Sequence, residues 1–77
     1  MMDMKDFIQH FAEQFDDTEV SVFMPETVFH ELDEYSSLIA LSIILMVDEV
    51  YGVTIDATDM SSSVTIEDLF NKVKAKA

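Results

Sequence analysis

Apolar residues recur near the start of the chain at helical spacing. Met4, Phe7, Ile8, Phe11, Ala12 and Phe15 follow the i, i+3, i+4, i+7 rhythm of one helix face, and Asp3 stands before them as a candidate N-cap. A first helix is expected over residues 3–15. Acidic residues at 16, 17 and 19 then interrupt the rhythm, and Pro25 disfavours a helical conformation at Met24. Residues 16 to about 35 therefore read as a long loop. Its apolar positions, Val20, Val22, Phe23, Met24, Val28, Phe29 and Leu32, call for burial. The loop is expected to dock across the helices.

Ser36 and Ser37 announce a second helix, which either can cap, and strong helix formers continue to Tyr51. Gly52 suits the left-handed position that closes a helix. Almost every residue from Leu38 to Val47 is apolar, followed by Val50 and Tyr51. One helix of so small a domain cannot bury them all, so some must face solvent or a partner. A short helical turn is expected over residues 56–60, then the polar run Ser61-Ser62-Ser63. A last helix starts at Thr65, with Asp68 placed for a capping box and Ile66, Leu69, Phe70 and Val73 turned inward. Its terminal lysines complement the helix dipole. The expected fold is all-α: residues 1–77 as one domain, a small bundle of three long helices and one short, with a long first connection.

Composition narrows the chemistry. The chain has no cysteine, so disulfides, thiolate metal sites and a cysteine nucleophile are excluded, and any thiol must be attached. The first residues lack the basic and apolar regions of a signal peptide, which points to the cytoplasm. The apolar stretch from Leu38 to Val47 falls well short of the roughly 20 residues that span a bilayer. Sixteen acidic residues face four basic ones, three of which are Lys72, Lys74 and Lys76. Residues 1–71 thus set sixteen carboxylates against Lys5 alone, a formal −15. Such a surface repels nucleic acid and favours proteins with basic patches. The plainer reading of the acidity is solubility.

His10 and His30 show no spacing that defines a triad and read as structural or solvated. Asp56 and Asp59 lack the spacing of a calcium loop. Ser36-Ser37, taken alone, reads as a pair of N-caps. A serine at a helix start nevertheless places its hydroxyl beside unpaired backbone N–H groups, where an attached phosphate is stabilised.

The segment Phe29-His30-Glu31-Leu32-Asp33-Glu34-Tyr35-Ser36-Ser37-Leu38, leading into the apolar helix, resembles the acyl carrier protein family. There an aromatic-x-x-Leu segment precedes Asp-Ser-Leu at the start of the second helix. With Ser-Leu aligned on Ser37-Leu38, the family's acidic pair and aromatic fall on Asp48, Glu49 and Tyr51. Its Gly-x-x-Ile exit falls on Gly52 to Ile55, and the start of its last helix on Thr65-Ile66-Glu67-Asp68-Leu69. The resemblance covers roughly residues 29–73 closely and the first helix loosely. Ser36 departs from it, since the family most often has Asp there. Ser36 is the alternative acceptor; Ser37 is favoured because Leu38 follows it.

The resemblance implies that Ser37 receives 4′-phosphopantetheine from coenzyme A, through a phosphopantetheinyl transferase, and that the arm carries acyl or aminoacyl cargo as a thioester between biosynthetic enzymes. The chain itself would be a non-catalytic monomer. Leu38, Leu41 and Leu45, at i, i+3 and i+7, would form an apolar partner surface, with Asp48 and Glu49 as its acidic rim. Ile43, Ile44, Val47 and Tyr51 would belong to the core, with room for part of an acyl chain. The rivals are an unmodified acidic interaction module using the same leucine face and an anionic mimic of nucleic acid.

Overall fold

The computed structural model describes residues 2–77. Among them are four helices: α1 (Met4–Ala12), α2 (Ser37–Tyr51), α3 (Ala57–Ser62) and α4 (Ile66–Lys76). The described residues form no strand, only an isolated bridge between Val28 and Thr65. The expected all-α bundle of three longer helices and one short is present. No helix among the described residues is long and apolar enough to cross a membrane.

α1 is shorter than its apolar rhythm predicts, ending at Ala12 rather than Phe15. The chain tightens there, with Gln14 N–H donating to Phe11 O and Phe15 N–H to Ala12 O. That turn keeps Phe15 buried outside the regular helix. Asp3 takes the N-cap position, but its side chain makes no cap hydrogen bond.

The connection from α1 to α2 contains two 3₁₀ turns, Val20–Val22 and Phe29–Glu31. It docks through Phe23 and Phe29, which are buried with Phe7, Phe11, Phe15 and Phe70. Ring centroids lie 5.4 Å apart for Phe11–Phe29 and 5.0 Å for Phe15–Phe23. Such aromatic pairs add about 0.5–1.5 kcal/mol each beyond their area burial. Backbone bonds hold the loop to α4: Ile66 N–H donates to Thr27 O at 3.1 Å and Glu67 N–H to Pro25 O at 2.9 Å. These carbonyls satisfy amides at a helix start that have no partner within the helix. At the loop's ends, the Glu34 carboxylate accepts from Asp16 N–H at 2.6 Å, Asp17 N–H at 3.0 Å and the Thr18 hydroxyl at 2.7 Å. The expectation of burial fails at Val20, Val22 and Met24, which are exposed. The two phenylalanines anchor the loop, and its intervening residues run over the surface.

α2 begins and ends where its caps predict. Ser36 Oγ accepts from Ile39 N–H at 3.3 Å, and Gly52 closes the helix at φ 66°. Ile43, Met46 and Val47 are buried, while Ile44 and Tyr51 are only half-buried against the core. The Tyr51 phenol is instead turned to the Asp6 carboxylate, to which it donates at 3.1 Å. Partial burial first, and that carboxylate second, push its pKa up to about 12.

α3 runs two residues beyond the expected turn, taking in Ser61 and Ser62. It is capped by reciprocal bonds between Asp56 and Asp59, and α4 by the same arrangement of Thr65 and Asp68. α4 buries Ile66, Leu69, Phe70 and Val73 as its spacing predicts. Two α4 lysines hold α3: Lys76 Nζ lies 2.6 Å from Asp59 Oδ2, and Lys72 Nζ reaches the Ser62 hydroxyl.

Candidate functional site

Ser37 is the first residue of α2 and is exposed. Its neighbour Ser36 provides the cap, spending its side-chain oxygen on Ile39 N–H. The two serines are thereby distinguished, because the Ser37 hydroxyl is not needed to end the helix. The first intrahelical bond runs from Ala40 N–H to Ser36 O at 2.9 Å. The amides of Ser37 and Leu38 therefore have no intrahelical acceptor, and the helix start favours an anion there.

Beside Ser37 lies a concavity of about 360 Å³ between α2 and α3. Ala40, Leu41 and Ile44 bound it on the α2 side, and Ala57, Met60 and Ser61 on the α3 side. His30 and Tyr35, from the chain before α2, complete the walls. None of the sixteen carboxylates of the chain lines it. The space is thus apolar, with hydroxyl and imidazole groups at its margin.

His30 fixes one wall. Its Nε2 is 2.9 Å from the Met60 carbonyl oxygen and 2.9 Å from that of Ser63, both at the C-terminal end of α3. Carbonyls only accept, so Nε2 carries a proton shared between them. The ring stacks on Phe29 at 4.4 Å and meets the edge of Tyr35 at 5.0 Å. Partial burial raises the Tyr35 pKa above its ordinary value. Nothing in the sequence marks this role for His30, since it depends on a contact between distant segments. The small side chains Ala40 and Ala57, which leave the space open, are equally unmarked. His10 lies apart, within 3.4 Å of Glu13 and 3.6 Å of Asp6 on its own helix.

Leu38, Leu41 and Leu45 are 72%, 51% and 52% exposed. Full burial of a leucine contributes about 1.5–3 kcal/mol, so the bundle leaves much of that stabilisation unused at each position. Asp48 and Glu49 are exposed too, and helical spacing continues the stripe from Leu41 and Leu45 to them. The structure therefore brings Ser37, Leu38, Leu41, Leu45, Asp48 and Glu49 onto one solvent-facing side of α2. Among the described residues, no three His, Asp or Glu side chains gather as a metal site. Comparisons with protein-family models, with curated proteins and with solved structures find no match for this chain.

Proposed function

We propose that the chain is a cytoplasmic, monomeric acyl carrier protein, with 4′-phosphopantetheine attached to the Ser37 hydroxyl. The observation that carries this reading is an exposed serine, spared from capping, that opens a helix and borders an apolar concavity of about 360 Å³. The residues fit the group: the first-turn amides suit a phosphodiester, and the adjoining space suits an uncharged chain. The arm supplies the thiol that the polypeptide lacks and holds cargo as a thioester. Ala40, Leu41, Ile44 and Met60 shield apolar cargo from water. No carboxylate of the concavity is positioned to pair with a charged amino group, which favours acyl over aminoacyl cargo.

Ser36 stands where the family has Asp, yet Ser and Asp are comparably good N-caps. The departure leaves the local fold intact and removes one charge beside the acceptor. Leu38, Leu41 and Leu45, rimmed by Asp48 and Glu49, would receive the transferase and the loading and synthase enzymes through their basic patches.

Incubation with coenzyme A and a broad-specificity phosphopantetheinyl transferase tests the reading by intact mass. The expected result is one added arm, abolished by Ser37→Ala and retained by Ser36→Ala. No addition with several transferases would overturn it. The exposure of the three leucines also suits an unmodified interaction module. In that case Ser37→Ala would leave partner binding unchanged and no mass would be added.

A further inference from the structure

The bundle has a second and larger concavity, of about 620 Å³, between one face of α1 and the loop that follows it. Ile8 and Ala12 from α1, with Phe15, Val20 and Phe23 from the loop, give it apolar walls. Phe15 and Phe23 are 6% exposed and belong to the core, whereas Val20 is 77% exposed. No other large apolar side chain among the described residues is so open, and nothing within the bundle uses it. Burial of such a side chain is favourable only on association.

Charge indicates what would cover this face. Glu13 and Asp16 stand at one end of it and Lys5 at the other. Lys5 and Glu13 are eight residues apart on α1 and its turn, or about 12 Å at 1.5 Å per residue. Both carboxylates are exposed and belong to a segment carrying a formal −15 over residues 1–71. An apolar groove with an acidic end is the complement of an amphipathic helix whose basic residues cluster beside its apolar face.

We propose that the α1–loop concavity is a second docking face, which receives a basic amphipathic helix of a partner protein. The helix lays its apolar side on Ile8, Ala12 and Val20 and sets its lysines or arginines against Glu13 and Asp16. Lys5 repels those groups from the opposite end and so fixes where they lie. This face is separate from the leucine stripe of α2, and the proposal is independent of any modification of Ser37.

The test uses the whole chain and a synthetic amphipathic helix with leucines on one face and lysines clustered at one end, followed by amide NMR shifts. Saturable shifts are expected at Ile8, Ala12, Val20 and Phe23. Reversing Glu13 and Asp16 to Lys should weaken binding about tenfold, the combined effect of two exposed charge pairs. Reversing Asp48 and Glu49 to Lys changes net charge equally and should leave the affinity within about twofold. Val20→Ser, at an exposed position, should weaken it about threefold by removing apolar contact. Three outcomes would overturn the proposal: shifts confined to Leu38, Leu41 and Leu45, equal weakening by the two charge reversals, or occupation by decanoate with no binding of the peptide.

Discussion

His30 is bonded to Met60 across thirty residues of chain, its Nε2 2.9 Å from the Met60 carbonyl oxygen. That bond, with its twin to Ser63, ties the segment before α2 to the end of a helix only six residues long. α3 buries a single apolar side chain of its own, Met60. Helices this short do not persist without external support, so α3 depends on His30, Lys72 and Lys76.

His30→Ala should therefore lower stability by about 1–2 kcal/mol, from a lost hydrogen bond and lost ring packing. The more specific effect is local: amides of α3 should exchange with solvent faster, while those of α4 change little. Urea unfolding and hydrogen exchange check both, and unaltered protection in α3 would refute the role assigned to His30.

Ser36→Ala should cost about 1 kcal/mol by removing the α2 cap. Ser36→Asp should be close to neutral, since it replaces one good cap with another, and should speed arm loading by a general transferase. Ser37→Ala should lie within about 0.5 kcal/mol of the parent. If Ser37→Ala proved as destabilising as Ser36→Ala, the division of labour between the two serines would be wrong.

Glu34 gives stability a dependence on acid. The Thr18 hydroxyl, then the Asp16 amide, hold its pKa below the ordinary 4.5. A depressed folded value means that its contribution is complete well above pH 4.5 and is lost as pH falls through the lowered value. Glu34→Gln should lower the melting temperature at neutral pH, and the gap from the parent should close as pH falls below the ordinary 4.5 and through that lowered value. Parallel melting curves at every pH would show that the carboxylate does not anchor the loop.

Association of the parent with a phosphopantetheinyl transferase should slow as salt rises, because exposed charges are screened over about 8 Å at physiological ionic strength. Changing Asp48 and Glu49 to Lys should slow it at low salt while weakening that salt dependence. The same reversal at Glu13 and Asp16 should have little effect on that partner. Leu41→Ala should mainly accelerate dissociation. Stopped-flow kinetics separate these cases. Equal slowing by both reversals would leave net charge, rather than a localised rim, as the cause.

Gly52→Ala should cost about 1 kcal/mol. A Cβ at this position would meet nothing within 4 Å, so the whole cost comes from holding alanine at φ 66°. Urea unfolding measures it, and a neutral result would mean that the end of α2 relaxes.

What could be read from the sequence is local. Ser36, Gly52, Thr65 and Asp68 mark helix ends because capping is decided within a few residues, and the inward face of α4 follows from spacing alone. Val20 and Met24 were equally apolar in sequence yet stay exposed. Hydropathy measures the benefit of burial without indicating whether neighbouring structure offers a place for it. The walls of the concavity beside Ser37 were illegible for a related reason. Ala57 and His30 meet there through the path of the chain, and neither carries a periodic or motif signal.

The two tyrosines have an optical consequence. The chain has no tryptophan, so Tyr35 and Tyr51 are its only strong intrinsic fluorophores. A phenol that donates to a carboxylate loses much of its emission, and Tyr51 donates to Asp6. The light that remains comes chiefly from Tyr35, which lines the concavity beside Ser37 and is absent from the walls of the one along α1. Filling the first space should alter the emission, whereas occupying the second should leave it nearly constant. The unlabelled protein thus distinguishes by its own fluorescence which of its two faces is engaged.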